Sequence, residues 1–355
     1  MSDNDVTTLS RGVGGAAPPP RPTLRDVAAL AGVGFKTVSR VVNGEPGVSP
    51  ETQRRVERAI AQLDYRPNLT ASNLRRTGGK TATVGLMLED VANPFSSTVH
   101  RALCDAAALR GVAVLGASLD EDATREQATA EAFVRRRVDG LVIAPTAPDQ
   151  SYLLKDVKAG LAVVFIDRPP SFLDADLVVA TNAAGSREAV ALLLGCGHRR
   201  IAFLGDLRSI WTARERAAGY EAALADAGVP VDPALVRQDL RTREEADRAT
   251  AELLALPEPP TAIFAGQNLI TIGVIRALRR AGAERRIALV GFDDVELADL
   301  LSPGLTVVAQ DPVAIGQAAA ELLFTRLDGD RGPGRRVEVP TRLVMRGSGE
   351  IPPAA

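Results

Sequence analysis

The sequence predicts an α/β protein: a small all-α head of short helices, then two Rossmann-like halves built on parallel strands. Three observations predict it. From Thr81 onward short apolar runs alternate with helical stretches, as in βαβ units around a parallel sheet. The alternation restarts after residue 180, which calls for two sheets rather than one. Between Thr23 and Leu63 the apolar spacing is that of helices and never that of strands. With 355 residues, 46% of them hydrophobic, the chain has material for two or three cores of about 100–150 residues each.

Residues 1–22 are rich in Gly, Ala and Pro (GVGGAAPPPRP), lack periodicity and read as a disordered tail. Gly12-Val13-Gly14-Gly15 is no phosphate loop, because no strand precedes it. The head occupies residues 23–67. Thr23 and Asp26 form a capping box, and Leu24, Val27, Ala28 and Ala31 follow as an apolar stripe until Gly32 breaks the helix. A second helix, from about Phe35 to Asn43, turns Val38, Val41 and Val42 inward. It leaves Lys36, Thr37 and Arg40 outward, with Lys36 and Arg40 four apart on one face. The third starts at Ser49-Pro50-Glu51, an N-cap, a proline at the first helical position and an acid in the first turn, and buries Val56, Ala59, Ile60 and Leu63. In residues 68–79, Asn68–Arg76 has the length of a short helix but almost no apolar face, and Thr77-Gly78-Gly79 makes a joint.

The core spans residues 80–350. Its first half runs TATVGLML, a helix near 95–110, VAVLGAS, a helix near 124–137, DGLVIAP, a helix near 150–159 and AVVFIDR. The second runs through a helix near 183–195, RIAFLG, helices near 214–227 and 244–254, TAIFAG, a helix near 269–281 and IALVGFDD. Two such halves place a cleft between them, and ligand sites of this architecture lie at the carboxyl ends of the strands. Asn93-Pro94-Phe95, Asp167-Arg168 and Asp293-Asp294 fall at those ends.

Charge separates the parts. Residues 21–80 hold 11 Lys/Arg against 5 Asp/Glu, a balance of +6, whereas residues 81–355 hold 30 against 37, a balance of −7. A basic head on an acidic body points to a nucleic-acid module joined to something else. Cys104 and Cys196 are read as plain buried thiols, with no CxxC pair and no ligand cluster for a metal. The N-terminus has no apolar export segment and no run is long enough to cross a membrane, so the expected location is the cytoplasm. His100 and His198 have no catalytic partner in view; no catalytic residue, metal or cofactor is assigned, and an enzyme is disfavoured.

The run TLRDVAALAGVGFKTVSRVVNGEPGVSPETQRRVERAIAQLDYRPN closely resembles the DNA-binding head of the lactose-repressor (LacI/GalR) family. The resemblance continues through ASNLRR, NPF, RRRVDGLVIAP, FIDR, GHRRIAFLG, ARERAAGY and VGFDD, and covers residues 23 to 347. It implies a helix-turn-helix, a hinge helix, and a core like a type I periplasmic sugar-binding protein. Subdomain 1 would then comprise about 80–180 and 312–339, and subdomain 2 about 181–308 and 340–350. The implied function is an effector-controlled DNA-binding regulator, a repressor by family habit. It implies a homodimer on a near-palindromic operator of double-stranded DNA, controlled by a small sugar or sugar derivative; no C-terminal leucine heptad suggests a larger assembly.

The same resemblance assigns residues. Phe35, Lys36 and Arg40 take base-reading positions: Arg forks onto guanine, Lys donates to the same acceptors, and Phe meets a thymine methyl. Thr37, Ser39, Asn43, Arg54 and Tyr65 fit phosphate contacts or caps. In the hinge, Leu74 is the minor-groove wedge, with Ala71 and Arg75 beside it. This hinge reads NLTASNLRR where the family's usual form is closer to NALARSLR, which leaves the preferred central base step open. In the cleft, Asp167, Arg216 and Asp293 take the places that bind ligand hydroxyls, with Phe95 packing nearby and Gln310 at the crossover; apart from the resemblance, Arg168 lies at the same strand end as Asp167, and the ring of Trp211, placed in a loop before Ala213, suits stacking on a sugar. Gly266-Gln267-Asn268 replaces the family's Asn-Asp, so the polar contact is expected from Gln267. Thr181-Asn182 replaces Asp-Asn, and fewer carboxylates with spare arginines favour an acidic sugar or sugar phosphate.

Overall fold

The computed structural model describes residues 22–66 and 80–354, in two units, the head and a core that begins at Ala82. The expected hinge, residues 68–79, and all but the last residue of the expected tail lie outside the described residues.

The head consists of α1 (Leu24–Ala31), α2 (Phe35–Val42) and α3 (Pro50–Gln62). Thr23 and Asp26 cap α1 reciprocally: the Asp26 carboxylate accepts from the Thr23 N–H at 2.7 Å, and the Thr23 hydroxyl accepts from the Asp26 N–H at 3.4 Å. Gly32 ends the helix at φ 62°, a conformation glycine adopts without a Cβ penalty. Ser49 caps α3 through Thr52 N–H, with Pro50 at the first helical position. Val27, Val38 and Val56 meet at zero exposure with Ala28, Ala31 and Ala59, and Leu24, Ile60, Leu63 and Tyr65 close the rim. Arg55 adds a tie that periodicity does not reveal. Its Nη2 donates to the carbonyls of Ala31 at 2.6 Å and Gly32 at 3.1 Å, binding the end of α1 to α3.

In the core, β1 (Thr83–Leu88), β2 (Ala113–Ser118), β3 (Gly140–Ile143), β4 (Ala162–Ile166), β5 (Asp176–Ala180) and β11 (Arg336–Val339) form one parallel sheet in the order β11-β5-β4-β3-β1-β2. A second sheet holds β6 (Ile201–Leu204), β7 (Val236–Arg237), β8 (Ala262–Ala265), β9 (Ala288–Phe292), β10 (Thr306–Ala309) and β12 (Arg342–Val344) in the order β12-β10-β9-β8-β6-β7, parallel except for the antiparallel β12. The two sheets share one strand order and differ only in the direction of the edge strand, parallel for β11 and antiparallel for β12; each order reverses at its first strand, where such sheets open a crevice.

Helices cover both faces of both sheets, so the strands read as near-continuous apolar runs. On β1, Val84, Leu86 and Leu88 face α4 (Pro94–Ala108) and α11 (Pro312–Leu327), while Met87 faces the opposite layer with Phe133 of α5 (Ala123–Arg135). Gly85 is required there, since a Cβ would stand 2.4 Å from the Phe133 ring. The second sheet lies between α7 (Asn182–Gly195) with α8 (Trp211–Asp226) on one face and α9 (Arg243–Leu254) with α10 (Asn268–Arg280) on the other. The helix near 150–159 is a 3-10 turn (Ser151–Leu153) running into a single short helix, α6 (Leu154–Lys158). Among the described residues no helix is long and apolar enough to cross a membrane. The two thiols are half-buried rather than buried.

The chain crosses between the sheets after β5, after β10 and between β11 and β12. Two crossings are stitched together: the Thr341 N–H donates to the Thr181 hydroxyl at 2.9 Å, and the Thr181 N–H donates to the Val339 carbonyl at 3.1 Å. Near this seam α7 and α8 pack at backbone distance, because a Cβ on Gly219 would lie 2.3 Å from the Ala183 carbonyl. Gly219→Ala is therefore expected to destabilise the core by about 1–3 kcal/mol through overpacking, read by thermal or urea unfolding.

Candidate functional site

The carboxyl ends of the two sheets supply matching corners. Asp167 follows β4 and Asp293 follows β9, both in the left-handed region, at φ 65° and 70°. Each donates its N–H to the neighbouring strand, Asp167 to Val178 and Asp293 to Val308, both at 2.9 Å. Non-glycine residues held at positive φ by strand pairing are a feature of ligand-binding corners. Burial pushes the Asp167 carboxyl up, and the Arg168 and Arg216 guanidiniums pull it back.

Arg216, buried on α8, donates to Asn182 Oδ1 at 2.8 Å and to the Gly266 carbonyl at 2.9 Å, and lies 3.8 Å over the Phe292 ring. Arg168 is held by Glu121 through two bonds of 2.8 and 2.6 Å and reaches Asp167 at 3.3 Å and the Pro145 carbonyl at 3.3 Å. Arg168 is fully engaged and Arg216 keeps only its Nη2 without a hydrogen bond among the described residues, so the arginines give little support to the expectation of an acidic ligand. The carboxylates are also more numerous than the sequence suggested. Glu89 after β1 and Asp206 after β6 belong to the same group; burial raises both, Glu89 to about 7, and Glu121 raises both further.

Between the sheets opens a pocket of about 540 Å³, walled by Phe95 and Pro94 from the N-terminus of α4 and by Asn268, Asp293 and Gln310 from the second sheet. Gln310 donates to Asp293 Oδ1 at 2.7 Å. Asn268 donates across the cleft to Asn93 Oδ1 at 2.9 Å, the same oxygen that caps Phe95 N–H. An apolar wall with a few convergent polar groups is the usual make-up of a small-molecule site. Among the described residues no group of His, Cys, Asp and Glu gathers to hold a metal ion.

The head presents a second surface. Phe35 is 45% exposed and outside the small core, and Lys36 and Arg40 are exposed beside it on α2. Large aromatic exposure next to two cations on one helix face suits a groove rather than water.

Comparison with known proteins decides what these parts belong to. Residues 23–68 match the model of the bacterial regulatory proteins of the lacI family, and residues 190–349 match a periplasmic binding protein-like domain. The chain is 32% identical to the ribose operon repressor of Escherichia coli (strain K12) over 330 residues, covering 92% of this chain and 99% of that one. It is a member of the LacI family. The regulator PtxS of Pseudomonas aeruginosa is 33% identical over 333 residues, covering 92% of this chain and 96% of its own. Among solved structures, a transcriptional regulator CelR–cellobiose complex aligns with TM-score 0.68 and 32% identity over 93% of this chain and all of the other. The lac repressor dimer bound to operator and the anti-inducer ONPF aligns with TM-score 0.81 and 27% identity over 93% and 99%. This LacI-family chain is a DNA-binding transcription regulator and not an enzyme.

Within this LacI-family protein the expected site residues distribute unevenly. Asp167, Arg168, Arg216 and Asp293 form one charged group, and Phe95, Asp293 and Gln310 share the pocket wall. Gln267 is not on the pocket wall: its Oε1 caps α10 through Leu269 N–H at 2.8 Å and Ile270 N–H at 3.2 Å, and the neighbouring Asn268 lines the pocket. The longer side chain of Gln267 reaches back to its own helix, which is why the amide expected in the cleft comes one residue later. Trp211 is the first residue of α8 rather than a loop residue, and it packs against the first subdomain's Met87–Phe165 layer, off the pocket wall. In the head, Asn43 ends α2 and donates to Ser39 Oγ at 3.3 Å, Tyr65 packs on the core, Thr37 is half-buried, and Arg54 is exposed on α3. Ala71, Leu74 and Arg75 lie outside the described residues. Glu89 and Asp206 were missed, although both directly follow apolar strand runs, the position that singled out Asp167 and Asp293.

Proposed function

We propose that this chain is a cytoplasmic homodimeric repressor whose heads read the two halves of a near-palindromic operator and whose cleft binds a small, sugar-like effector that releases it. The observation that carries this reading is the pocket of about 540 Å³ between the sheets, polar at Asn268, Asp293 and Gln310 and apolar at Phe95, in a chain with an exposed Phe35, Lys36 and Arg40 on its head. The cellobiose complex of a relative and the ribose-bound regulator from Enterococcus faecium, at 26% identity and TM-score 0.68, support a sugar-sized ligand. Effector closes the two subdomains, the change passes to the dimer contact, and the segment 68–79 loses its grip on the operator centre. A full switch needs effector to favour one state by about 5.5 kcal/mol.

Selection of bound duplexes from a random DNA pool at fixed salt, repeated with a panel of sugars, tests this directly. A palindrome released by one compound is the expected result. A palindrome gained only with compound would make the ligand a corepressor, and no preferred sequence under any condition would sink the operator reading. Arg40→Ala is expected to relax base preference at one position in each half-site, with a loss of about tenfold on the preferred site. Leu74→Ala is expected to weaken operator binding far more than binding to random DNA, since a wedge acts at a fixed base step. Equal losses on both DNAs would remove the assigned roles.

A further inference from the structure

The cleft contains more hydrogen-bond acceptors and more negative charge than its own residues can use. Two amide orientations are fixed by their partners. Asn93 Oδ1 already accepts from Phe95 N–H, so Asn268 must turn its Nδ2 to it, which leaves Asn268 Oδ1 without a donor. A carboxylate only accepts, so Gln310 must turn its Nε2 to Asp293, which leaves Gln310 Oε1. Both oxygens are buried without a partner, and Asn268 is only 4% exposed on the pocket wall. A buried acceptor left unpaired is costly, and at a pocket wall it marks a ligand donor.

The charges point the same way. Five carboxylates (Glu89, Glu121, Asp167, Asp206 and Asp293) are gathered with two guanidiniums, Arg168 and Arg216, and form one electrostatic group that spans both subdomains. Arg168 is spent on Glu121 and Asp167. Arg216 is spent on Asn182 and Gly266 apart from its Nη2. The arginine that follows Asp206, Arg208, turns to Asp239 at 2.6 Å. Glu89 has no side-chain hydrogen bond or ion pair among the described residues, and Asp206 has only the Leu207 N–H, at 2.7 Å. At the pocket rim the exposed Arg243 shares the wall with three carboxylates, Asp293, Asp294 and Glu296.

Resting on the effector reading above, we propose that the effector carries a protonated amine among its hydroxyls, and that Glu89 of the first subdomain and Asp206 of the second close on that amine. An ammonium supplies three donors and one positive charge to a site short of both. Held between carboxylates of opposite lips, it favours the closed cleft, which is what an effector must do. The raised carboxyls of Glu89 and Asp206 agree with this, because a bound cation relieves the cost of charging them. Acidic sugars and sugar phosphates are repelled by the same group.

Isothermal titration of the full-length protein at neutral pH tests it with D-glucosamine, D-galactosamine and D-mannosamine, their parent hexoses, and the hexose 6-phosphates. One amine is expected to bind about tenfold tighter than its parent hexose, with no binding of the phosphates. In Glu89→Gln and Asp206→Asn that preference is expected to fall below about threefold. Both substitutions are near-isosteric and remove poorly paired carboxylates, so each variant is expected to melt no lower than the parent; a clear fall in Tm would make these residues structural and overturn the proposal. A hexose or phosphate bound as tightly as the amine, and lost in Asp293→Asn, overturns the amine while the effector reading stands. Amine binding unchanged in all three variants places the amine outside the cleft and overturns the proposal. Failure of every compound to bind overturns the amine and withdraws support from a sugar-like effector.

Discussion

Arg216→Ala is expected to abolish effector-triggered release of DNA and to destabilise the core by about 3–5 kcal/mol, while the isolated reading of DNA by the head continues. The size of the effect follows from what the guanidinium holds. It joins α7 to the loop after β8 through Asn182 Oδ1 and the Gly266 carbonyl, both within a buried setting, and its removal leaves two acceptors without donors. Its face covers the Phe292 ring at 3.8 Å, so truncation also opens a void beside β9. Asp167 loses one of the two cations that offset its burial. Arg216→Lys keeps a charge but cannot span both acceptors, so it is expected to recover part of the stability and little of the response. Urea unfolding followed together with operator release by fluorescence anisotropy separates the two effects. A variant that unfolds normally and still releases DNA on effector addition would remove Arg216 from the mechanism.

Arg216 also illustrates how far the sequence could be read. Its place in the cleft came from the run ARERAAGY and its resemblance, whereas its partners came from elements far away in the chain, which no local pattern encodes. Helices and strands with a strong period were legible because burial imposes that period: the capping box at Thr23, the proline at the start of α3 and the apolar runs of β1, β4, β6 and β9 all state their structure locally. Strands β5, β7, β10, β11 and β12 were not singled out. β7 spans only Val236–Arg237, β12 only Arg342–Val344, and β11 alternates charged with apolar residues at a sheet edge, where one side needs no apolar cover. Gln267 and Trp211 lie off the pocket wall for another reason. Position relative to a motif fixed which loop they belong to, but side-chain direction was settled by a helix cap in one case and by packing on the opposite subdomain in the other.

Asp176 carries the second large effect. Asp176→Ala is expected to cost about 3–5 kcal/mol and to loosen the returning strand that carries the chain from the first sheet to the second. The carboxylate has no exposed surface and is gripped from two directions: Arg326 at the end of α11 donates to it at 2.7 and 2.8 Å, and Arg335 donates its backbone N–H at 2.8 Å with further side-chain contacts at 3.3 Å. The clamp fixes both ends of the segment between α11 and β11, and β11 leads through Thr341 into β12, so it bears on one of the three crossings between the sheets. Burial alone would raise the Asp176 carboxyl, but hydrogen bonds from Arg326 and Arg335 outweigh it and hold the group below the usual carboxylate range. The sign of the pH dependence follows. A carboxyl with a depressed folded-state pKa contributes its stability in full above the unfolded value, near about 3.9, and loses it as pH falls through the folded value. The wild-type core is therefore expected to lose stability on acidification below about pH 4 more steeply than Asp176→Ala, with the two unfolding curves converging at the acid end. Parallel curves across that range would show that the clamp contributes through shape and not through charge. A further reading comes from hydrogen exchange: faster exchange confined to β11 and β12 in the variant is the expected signature of a loosened crossing, and it ties the stability of one buried carboxylate to the freedom of the cleft to close.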